Sequence, residues 1–504
     1  MCEAYNELEE TFQRLYRFHH LAQLATWDVQ TMMPPKGSNA RGAAIAELKA
    51  VTHDLLTSEH TKKLLAVAAA EAKLTAAERA NLREMKYRHL SERALPKDCV
   101  TRKAKLSAES SVTWAKARAE NNFSLFAPYL KQAVANAREE ARYRGAVFGT
   151  GLYESLFNMY ESGMTLDSVD AIFQDIKVWL PPTLKRILAS QKERAASMIP
   201  LHGPFPVEKQ VPLCRYMAET WGFDFEGGRL DPSAHPFTGM TPEDTRITTN
   251  YSTATYTKAM FMTIHETGHS RYNVNRGPTD KRGQPVADAR SLVIHESQSR
   301  LGEVAVARSA AFAEYATPAL RRFLGDDPAF ASVENVRQVH QHVEPGYIRL
   351  TADGVCYPLH ILLRYEIERD LIEGRMEAED VPRVWNEKMQ QYLGLSTEGK
   401  DNVGCLQDMH WSTGTLGYFP TYTLGSMLAV QLMAAIKREI GENTVNDAIR
   451  TGQLKPILEK QKEKIWDHGC RYLTDELIRK ATGEPLNPQY FKDYIERRYL
   501  RGED

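Results

Sequence analysis

The stretch FMTIHETGHSRYNVN, residues 261–275, holds two histidines four positions apart, with a glutamate directly after the first. Residues four apart lie on one face of a helix, one turn from each other. His265 and His269 can therefore direct two imidazoles at one ion, while Glu266, about 100° further round the helix, can reach a water on that ion. Residues 256–272 contain no proline, and their apolar side chains favour a buried helix. The stretch predicts a helix that carries two thirds of a metal site.

This H-E-x-x-H pattern is rare by chance. Histidine accounts for 15 of the 504 residues. The frequencies of histidine and acidic residues predict at most roughly 0.06 chance occurrences in a chain of this length. The alternative is a pair of ordinary core or surface histidines. Gly268 within the motif costs about 1 kcal/mol of helix stability relative to alanine, and a small residue there predicts that another backbone approaches closely.

A second predicted helix, DARSLVIHESQSRLGEVAVARS at 288–309, supplies a third ligand. A catalytic zinc typically has three protein ligands and one open position, and two histidines with one glutamate are a common set. Glu296 and its neighbour His295 are the candidates. They face about 100° apart on a helix, so both cannot easily bind one ion. We favour Glu296; the alternatives are ligation by His295 and an ordinary solvated glutamate.

The dominant pattern of the chain is helical. In residues 5–28, apolar side chains recur at three- and four-residue steps. Further segments rich in Ala, Leu, Glu, Lys and Arg have the same pattern: 40–72, 76–93, 102–146, 166–198, 303–326, 357–376, 424–440 and 472–482. Residues 227–244, dense in proline and glycine, predict a loop, and TRITTNY at 245–251 predicts a short strand. We predict one large, mostly helical fold over residues 1–504, with a small β element near 245–251.

Composition excludes several classes of function. Lysine plus arginine is 64 and aspartate plus glutamate is 65, so a net charge of -1 gives no electrostatic reason to expect nucleic acid or a membrane as a partner. The first ten residues carry four glutamates and no cation, unlike a secretory leader. The six cysteines are spread singly, which argues against a disulfide scaffold. We expect a cytoplasmic protein with reduced thiols.

Several motifs together resemble one family, the Taq-type metallocarboxypeptidases typified by thermostable bacterial carboxypeptidase. Near the start, WDVQTMMPPKGSNAR at 27–41 resembles the family's Trp-Asp stretch with Met-Pro. The other elements follow in the family's order: DTRIT at 244–248, HETGH at 265–269, HESQ at 295–298, IRLTAD at 348–353, GCLQDMHW at 404–411 and GYFPTY at 417–422. H-E-x-x-H alone is shared by many metallopeptidases, whereas this ordered set is far more specific.

The resemblance implies a helical fold around a deep active-site groove, with residues 1–100 as helices covering the groove and residues 240–425 as the catalytic core. Members of this family remove single residues from peptide C-termini, usually depend on zinc or cobalt, and usually form homodimers. Carried over by position, the metal ligands are His265, His269 and Glu296, and the general base is Glu266, in agreement with the choice from helix geometry.

The remaining roles are assigned by chemistry together with the resemblance. Glu266 would take a proton from water and pass it to the leaving amine. Tyr418, His410 and Tyr422 are candidates to donate to the oxyanion, although tyrosines in such a loop often only pack. Asp353, Asp408 and Gln298 are candidates to accept the outward N–H groups of the ligand histidines.

The terminal carboxylate of a peptide suits an arginine, whose planar fork can pair with it bidentately. Arg349 is the first choice and Arg246 the second; the alternative is a structural salt bridge to Asp353 or Asp244, respectively. His235 is a candidate pocket residue, with a capped loop histidine as the alternative.

Three functions compete at this stage. The first is a metallocarboxypeptidase acting on peptides with a free C-terminal carboxylate. The second is a helical zinc oligopeptidase that cuts inside short peptides and needs no arginine for a terminal carboxylate. The third is a non-catalytic helical scaffold, which Glu266 argues against because a structural metal site needs no base.

Overall fold

A computed structural model describes residues 3–194 and 198–503, and it is mostly helical as predicted. The α-helices up to the sheet are α1 (Glu3–Thr31), α2 (Ser38–Thr57), α3 (Glu59–Ala69), α4 (Ala76–Arg93), α5 (Lys97–Ala119), α6 (Phe123–Phe148), α7 (Leu152–Phe157), α8 (Leu166–Arg194) and α9 (Val207–Thr220). Those after it are α10 (Thr257–Asn275), α11 (Leu292–Arg300), α12 (Ala310–Leu324), α13 (Val333–His340), α14 (Tyr357–Glu373), α15 (Val381–Leu393), α16 (Pro420–Ile440), α17 (Glu442–Thr451), α18 (Lys455–Lys464), α19 (Thr474–Thr482) and α20 (Gln489–Ile495). Two π-helices, Leu301–Val306 and Glu496–Arg501, continue α11 and α20.

Two long predicted helices are each divided in two by a capping residue. Segment 40–72 is interrupted at Ser58, whose hydroxyl accepts the Thr61 backbone N–H at 3.0 Å and so starts α3. Segment 102–146 is interrupted at Asn122, whose side chain caps α6 in the same way. These short polar side chains satisfy the free N–H groups of a new first turn. The predicted helix at 166–198 is present as α8 over Leu166–Arg194, and residues 195–197 lie outside the described residues.

A three-stranded sheet precedes α10. Its strands are β1 (Gly228–Pro232), β2 (Thr238–Thr241) and β3 (Asp244–Thr249), in the order β1-β3-β2. β3 pairs parallel with β1 and antiparallel with β2. The strand predicted at 245–251 is confirmed, whereas the loop predicted over 227–244 is wrong because both β1 and β2 lie in it. Their glycine and proline content conceals two short strands that only pairing with β3 defines.

The small sheet connects the N-terminal helices to the helix that carries H-E-x-x-H. Thr245 and Thr249 face α10, where their hydroxyls bond Ser270 Oγ and the Ala259 carbonyl at 3.0 Å each. Arg246 lies on the other face of β3, with its guanidinium 4.4 Å from the ring centre of Trp27 in α1. Side chains alternate between the two faces of a strand, so β3 contacts both helices at once.

The hydrophobic core of the described residues has one large part and two small parts. The large cluster runs through α5 to α20 and encloses α16, whose apolar run is buried almost throughout. One small cluster lies between α1, α3 and α4 and includes Tyr5, Leu8 and Phe12. The other joins Ala218 and Phe223 to Ile247 of β3. The five cysteines in the described part of the chain are buried and unpaired. Within residues 3–194 and 198–503, no helix has the length and apolar character that crossing a lipid bilayer requires.

Candidate active site

Two glycines allow the helices around H-E-x-x-H to pack closely. A Cβ atom at Gly268 of α10 would lie 2.6 Å from the Gln298 carbonyl oxygen and 2.6 Å from the Ser299 Cα, both in α11. The close approach predicted for Gly268 is thereby confirmed. On the other side of α11, a Cβ at Gly425 of α16 would lie 2.6 Å from the Cβ and Cγ of Glu296. The glycines therefore fix how far Glu296 lies from the histidines of α10.

The three residues selected as ligands converge. The Glu296 Oε2 lies 3.6 Å from His265 Nε2 and 3.3 Å from His269 Nε2. One nitrogen or oxygen of each residue lies within 4.8 Å of the others. Their side chains are 13%, 14% and 10% exposed for His265, His269 and Glu296, so the cluster is deep but open to solvent. Two imidazoles and one carboxylate are a typical donor set for a zinc-like ion, so these residues fit a divalent cation.

The carboxylate of Glu303 orients His265 by accepting a hydrogen bond from its Nδ1 atom. His265 Nδ1–H donates to Glu303 Oε2 at 2.9 Å, which leaves Nε2 to face Glu296. Glu303 is held in turn by the Arg300 guanidinium at 2.6 Å. Burial alone would lower the pKa of His265, but the carboxylates of Glu296, Glu303 and Glu266 outweigh burial and raise that pKa to about 9. This negative surrounding favours any cation at the site.

His295 orients His269 in the same way, although it is not a carboxylate. Asn273 Oδ1 accepts from Arg276 and also lies 3.0 Å from His295 Nε2, so His295 donates through Nε2. Its Nδ1 is then free to accept from His269 Nδ1–H at 2.6 Å. Burial, with the nearby His269 and Arg276, lowers the pKa of His295 well below its usual range and keeps it neutral. His295, the alternative to Glu296 as a ligand, therefore hydrogen-bonds to His269 through the ring nitrogen that does not face Glu296.

The residues predicted to accept the histidine N–H groups, Asp353, Asp408 and Gln298, do not do so. Asp353 caps the turn before α14 by accepting the Val355 and Cys356 N–H groups. The Gln298 Oε1 accepts the Trp466 indole N–H at 2.8 Å. Sequence reasoning missed Glu303, yet it lies seven residues after Glu296, which places both on one face of a helix. That spacing was the available signal.

Glu266 is buried and hydrogen-bonded to the sheet. The Thr238 hydroxyl of β2 lies 2.6 Å from Glu266 Oε2 and 2.9 Å from the Glu266 carbonyl oxygen. Thr238 had no sequence signal, because only the packing of β2 on α10 brings the two together. The bond fixes the rotamer of the Glu266 carboxylate, one helix position from His265.

The three candidate oxyanion donors lie together beside Glu296. The ring of Tyr418 is 5.2 Å from that of Tyr422 and 5.6 Å from that of His410. Burial and the charge of Glu296 raise the pKa of Tyr418 to about 12, so its hydroxyl stays protonated. Burial, with Arg349 and Arg364 nearby, lowers the pKa of His410 to about 4 despite the attraction of Asp408. Both side chains are therefore neutral hydrogen-bond donors near pH 7.

Arg349 lies in a buried cluster of two arginines and one aspartate. Asp408 accepts from Arg349 Nη2 at 2.8 Å and from Arg364 Nε at 2.7 Å. The side chains of Arg349, Arg364 and Asp408 are 3%, 0% and 11% exposed. Arg349 also donates to the Tyr357 hydroxyl at 3.0 Å. Its partner is thus Asp408 and not Asp353, and the cluster retains one excess positive charge.

The last two candidates lie on or beside the sheet. Arg246 donates to both carboxylate oxygens of Asp244, at 2.8 and 2.9 Å, which is the structural pairing weighed against a role in binding. His235 is exposed in the β1–β2 connection, where its carbonyl oxygen accepts the Ser233 hydroxyl at 2.7 Å. Its imidazole is close enough to His410 to help lower the pKa of that residue.

The family model, the related sequences and the solved structure that match this chain are all carboxypeptidases. The family model described as carboxypeptidase Taq (M32) metallopeptidase matches residues 7–499. Thermostable carboxypeptidase 1 of Thermus thermophilus is 35% identical, with 98% of each chain covered, and carboxypeptidase 1 of Bacillus subtilis is 33% identical, with 97% of each covered. The solved structure of metallocarboxypeptidase 1 of Trypanosoma cruzi is 50% identical, with a TM-score of 0.97 over 99% of this chain and 100% of that one.

These matches span almost the whole chain and agree with the ordered motifs and the clustered donors. M32 metallopeptidases depend on a divalent metal, and the named relatives are carboxypeptidases. The chain therefore belongs to the carboxypeptidase Taq (M32) family and is a metallocarboxypeptidase.

Proposed function

We propose that His265 Nε2, His269 Nε2 and a carboxylate oxygen of Glu296 hold the divalent cation, with zinc as the ion and cobalt as the alternative. The convergence of these three donors on one point is the observation that carries the proposal. The outward Nδ1 atoms of both histidines already have acceptors, so their Nε2 atoms face the ion. When bound, such an ion polarises a peptide carbonyl and lowers the pKa of water.

Glu266 is the general base of this proposal. Its carboxylate accepts a proton from the attacking water and then delivers it to the nitrogen of the leaving amino acid. The hydrogen bond from Thr238 holds one carboxylate oxygen, Oε2, and leaves Oε1 as the atom that takes the proton. Tyr418 or His410 donates a hydrogen bond to the oxygen that becomes negative during attack, and Tyr422, the less favoured candidate for this role, also contacts the bound substrate.

Arg349 binds the terminal carboxylate of the substrate in this proposal. A guanidinium has five N–H groups. Arg349 uses Nε and one N–H of Nη2 for Asp408, and one N–H of Nη1 for Tyr357. Two N–H groups remain, one on each Nη atom, and the excess positive charge of the cluster favours an anion. Arg246 is the second candidate, and His235 is proposed to line the pocket opposite His410.

The reaction is tested by timing the products of an unstructured peptide by mass spectrometry. We expect losses of one residue at a time from the C-terminal end, which stop when a chelator is added and resume with Zn²⁺ or Co²⁺. The same peptide with an amidated C-terminus should not be cut. Internal cleavage of the amidated peptide would support the oligopeptidase alternative, and activity that persists in the chelator would contradict the metal-dependent reaction.

Replacing Arg349 by lysine should raise KM for peptides with a free carboxylate by about tenfold or more. A hydrogen bond to a charged group contributes roughly 1.5–3 kcal/mol, and each 1.4 kcal/mol is a factor of ten. Lysine keeps the charge but loses the planar fork, so folding is disturbed less than with alanine. Zn²⁺ content should not change. Arg246→Lys is the matched comparison: a rise in KM there and not at 349 would assign the carboxylate to Arg246.

Gly425→Ala should weaken Zn²⁺ binding by about tenfold to a hundredfold, the range seen when groups that support metal ligands are changed. The added methyl group would occupy the space of the Glu296 Cβ and Cγ and displace the carboxylate. Zn²⁺ affinity is measured by competition with a chelator. Gly42→Ala in α2 is the control, since a Cβ there meets nothing within 4 Å. Equal Zn²⁺ affinity in both variants would contradict Glu296 as a ligand.

The proposal also includes the domain organisation of the chain. Residues 1–504 form a single domain in which residues 240–425 are the catalytic core. The N-terminal helices within 1–100 cover an active-site groove, which is supported by the contact of Trp27 with Arg246 and by the 3.5 Å approach of His20 to Asp244.

A cytoplasmic location suits five buried, unpaired cysteines. A homodimer follows from the family resemblance and is tested by analytical ultracentrifugation.

A further inference from the structure

The segment that carries Glu303 is an unusual helix. After Arg300 the chain widens into the π-helix Leu301–Val306, in which the Ala307 N–H bonds the Gly302 carbonyl oxygen five residues earlier at 2.8 Å. π-helices are rare and are found mostly as single turns, frequently at functional sites. In an α-helix each residue adds about 100° of rotation, which is more than in the wider π-helix, so rewinding this turn as an α-helix would point the Glu303 side chain away from His265.

The end of this π-helix is held by side chains from the far end of the chain. The helix stops at Val306, whose carbonyl oxygen accepts the Ser309 N–H at 2.9 Å, whereas the carbonyl oxygens of Val304 and Ala305 are bonded by side chains. Arg498 Nη1 donates to the Val304 carbonyl oxygen at 2.7 Å, and Arg498 Nη2 donates to that of Ala305 at 3.0 Å. The Tyr494 hydroxyl adds a third bond, to Val304 at 3.1 Å. Arg498 is only 5% exposed and also donates to Tyr494, which makes these bonds well shielded from water.

The held carbonyl groups directly follow Glu303 in the chain. Glu303 faces His265 on one side of the turn, while the Val304 and Ala305 carbonyls face Arg498 on the other. The turn is also closely packed at Gly302, where a Cβ atom would lie 2.8 Å from the Trp221 indole nitrogen. With one side packed and the other hydrogen-bonded, the turn has little freedom to adopt the ordinary α-helical register.

We propose that Arg498, assisted by Tyr494, is a positioning residue for the metal centre: it holds the carbonyl end of the π-helix and thereby directs Glu303 at His265. This inference rests on the proposed ligand set. Arg498 contacts neither the ion nor the substrate, and its effect on metal binding passes through Glu303.

The test is a double-mutant cycle on Zn²⁺ affinity, measured by chelator competition with the full-length protein. We expect Glu303→Gln to weaken Zn²⁺ binding by about tenfold to a hundredfold and Arg498→Met to weaken it by about threefold to tenfold. If Arg498 acts through Glu303, the double variant should bind Zn²⁺ no more weakly than Glu303→Gln alone, because coupled residues are not additive. Fully additive losses would overturn the proposal.

Two further variants separate positioning from plain stability. Arg497→Met is the matched control: this neighbour is 44% exposed and reaches Glu442 and Glu503 at 3.7 Å, so Zn²⁺ affinity should stay unchanged. Tyr494→Phe removes one hydrogen bond and keeps the ring, and should weaken Zn²⁺ binding by about twofold to threefold in a fully folded protein. Lower melting temperatures with unchanged Zn²⁺ affinity in Arg498→Met and Tyr494→Phe would overturn the positioning role.

The visible spectrum of the Co²⁺-loaded protein provides a second readout. Arg498→Met and Glu303→Gln should change its absorption bands in the same direction, while Arg497→Met should not change them. Failure of this inference is distinguishable from failure of the ligand set. If His265→Ala and Glu303→Gln both leave Zn²⁺ affinity unchanged, the ligand set is wrong; if they lower it and Arg498→Met does not, only the role of Arg498 is wrong.

Discussion

Glu266→Gln is expected to lower kcat by about a thousandfold while Zn²⁺ affinity stays within about twofold of the unmodified protein. The amide has the shape of the carboxylate, and its oxygen can still accept the Thr238 hydroxyl that lies 2.6 Å from Glu266 Oε2. It cannot accept a proton from water, because an amide is not a base near pH 7. Glu266 is not among the three proposed donors that converge, so removing its charge leaves the ligand set complete.

The experiment compares kcat and bound Zn²⁺ in the same preparations. Glu243→Gln is the matched control, since it makes the same chemical change at an exposed residue paired with Arg282, and both quantities should remain normal. Activity near normal in Glu266→Gln would remove Glu266 as the base. A parallel loss of Zn²⁺ would mean that Glu266 acts on the ion and not on the proton.

Glu296→Gln is expected to weaken Zn²⁺ binding by more than about a hundredfold. Changes to residues that only support metal ligands cost up to about a hundredfold, so removal of a charged ligand must cost more. Glu296 is also the one proposed ligand that is an anion, and its oxygen lies within 3.6 Å of both histidine Nε2 atoms. Activity should fall with metal occupancy and return in part when Zn²⁺ is supplied in excess.

Comparing the Zn²⁺ affinities of three glutamate-to-glutamine variants distinguishes a ligand from a supporting residue and from a base. We expect Zn²⁺ affinity to fall most in Glu296→Gln, less in Glu303→Gln and not in Glu266→Gln, although all three replace a buried glutamate by its amide. If Glu303→Gln had the larger effect, the carboxylate that supports His265 would itself be the ligand. Direct titration with Zn²⁺ in a competing chelator measures all three.

The outcome at individual residues shows why sequence analysis succeeds at some positions. His265, Glu266 and His269 lie within one helical turn, so the helix period alone fixes which of them share a face. The approach at Gly268 follows similarly, because only glycine permits backbone contact there. The mostly helical fold was predictable from apolar periodicity, whereas β1 and β2 were not, since each is defined by hydrogen bonds to β3.

Residue identity and spacing within single elements are enough to predict the family, the reaction that it implies and the local H-E-x-x-H geometry. The contacts of Glu303 with His265, His295 with His269, Thr238 with Glu266 and Asp408 with Arg349 come from the packing of the folded chain. Each of these pairs joins different segments of the chain, and the distance between two segments is set by side-chain packing and not by a helix or strand period. The same reason places Arg498, 194 positions away in sequence, against the carbonyl of Val304.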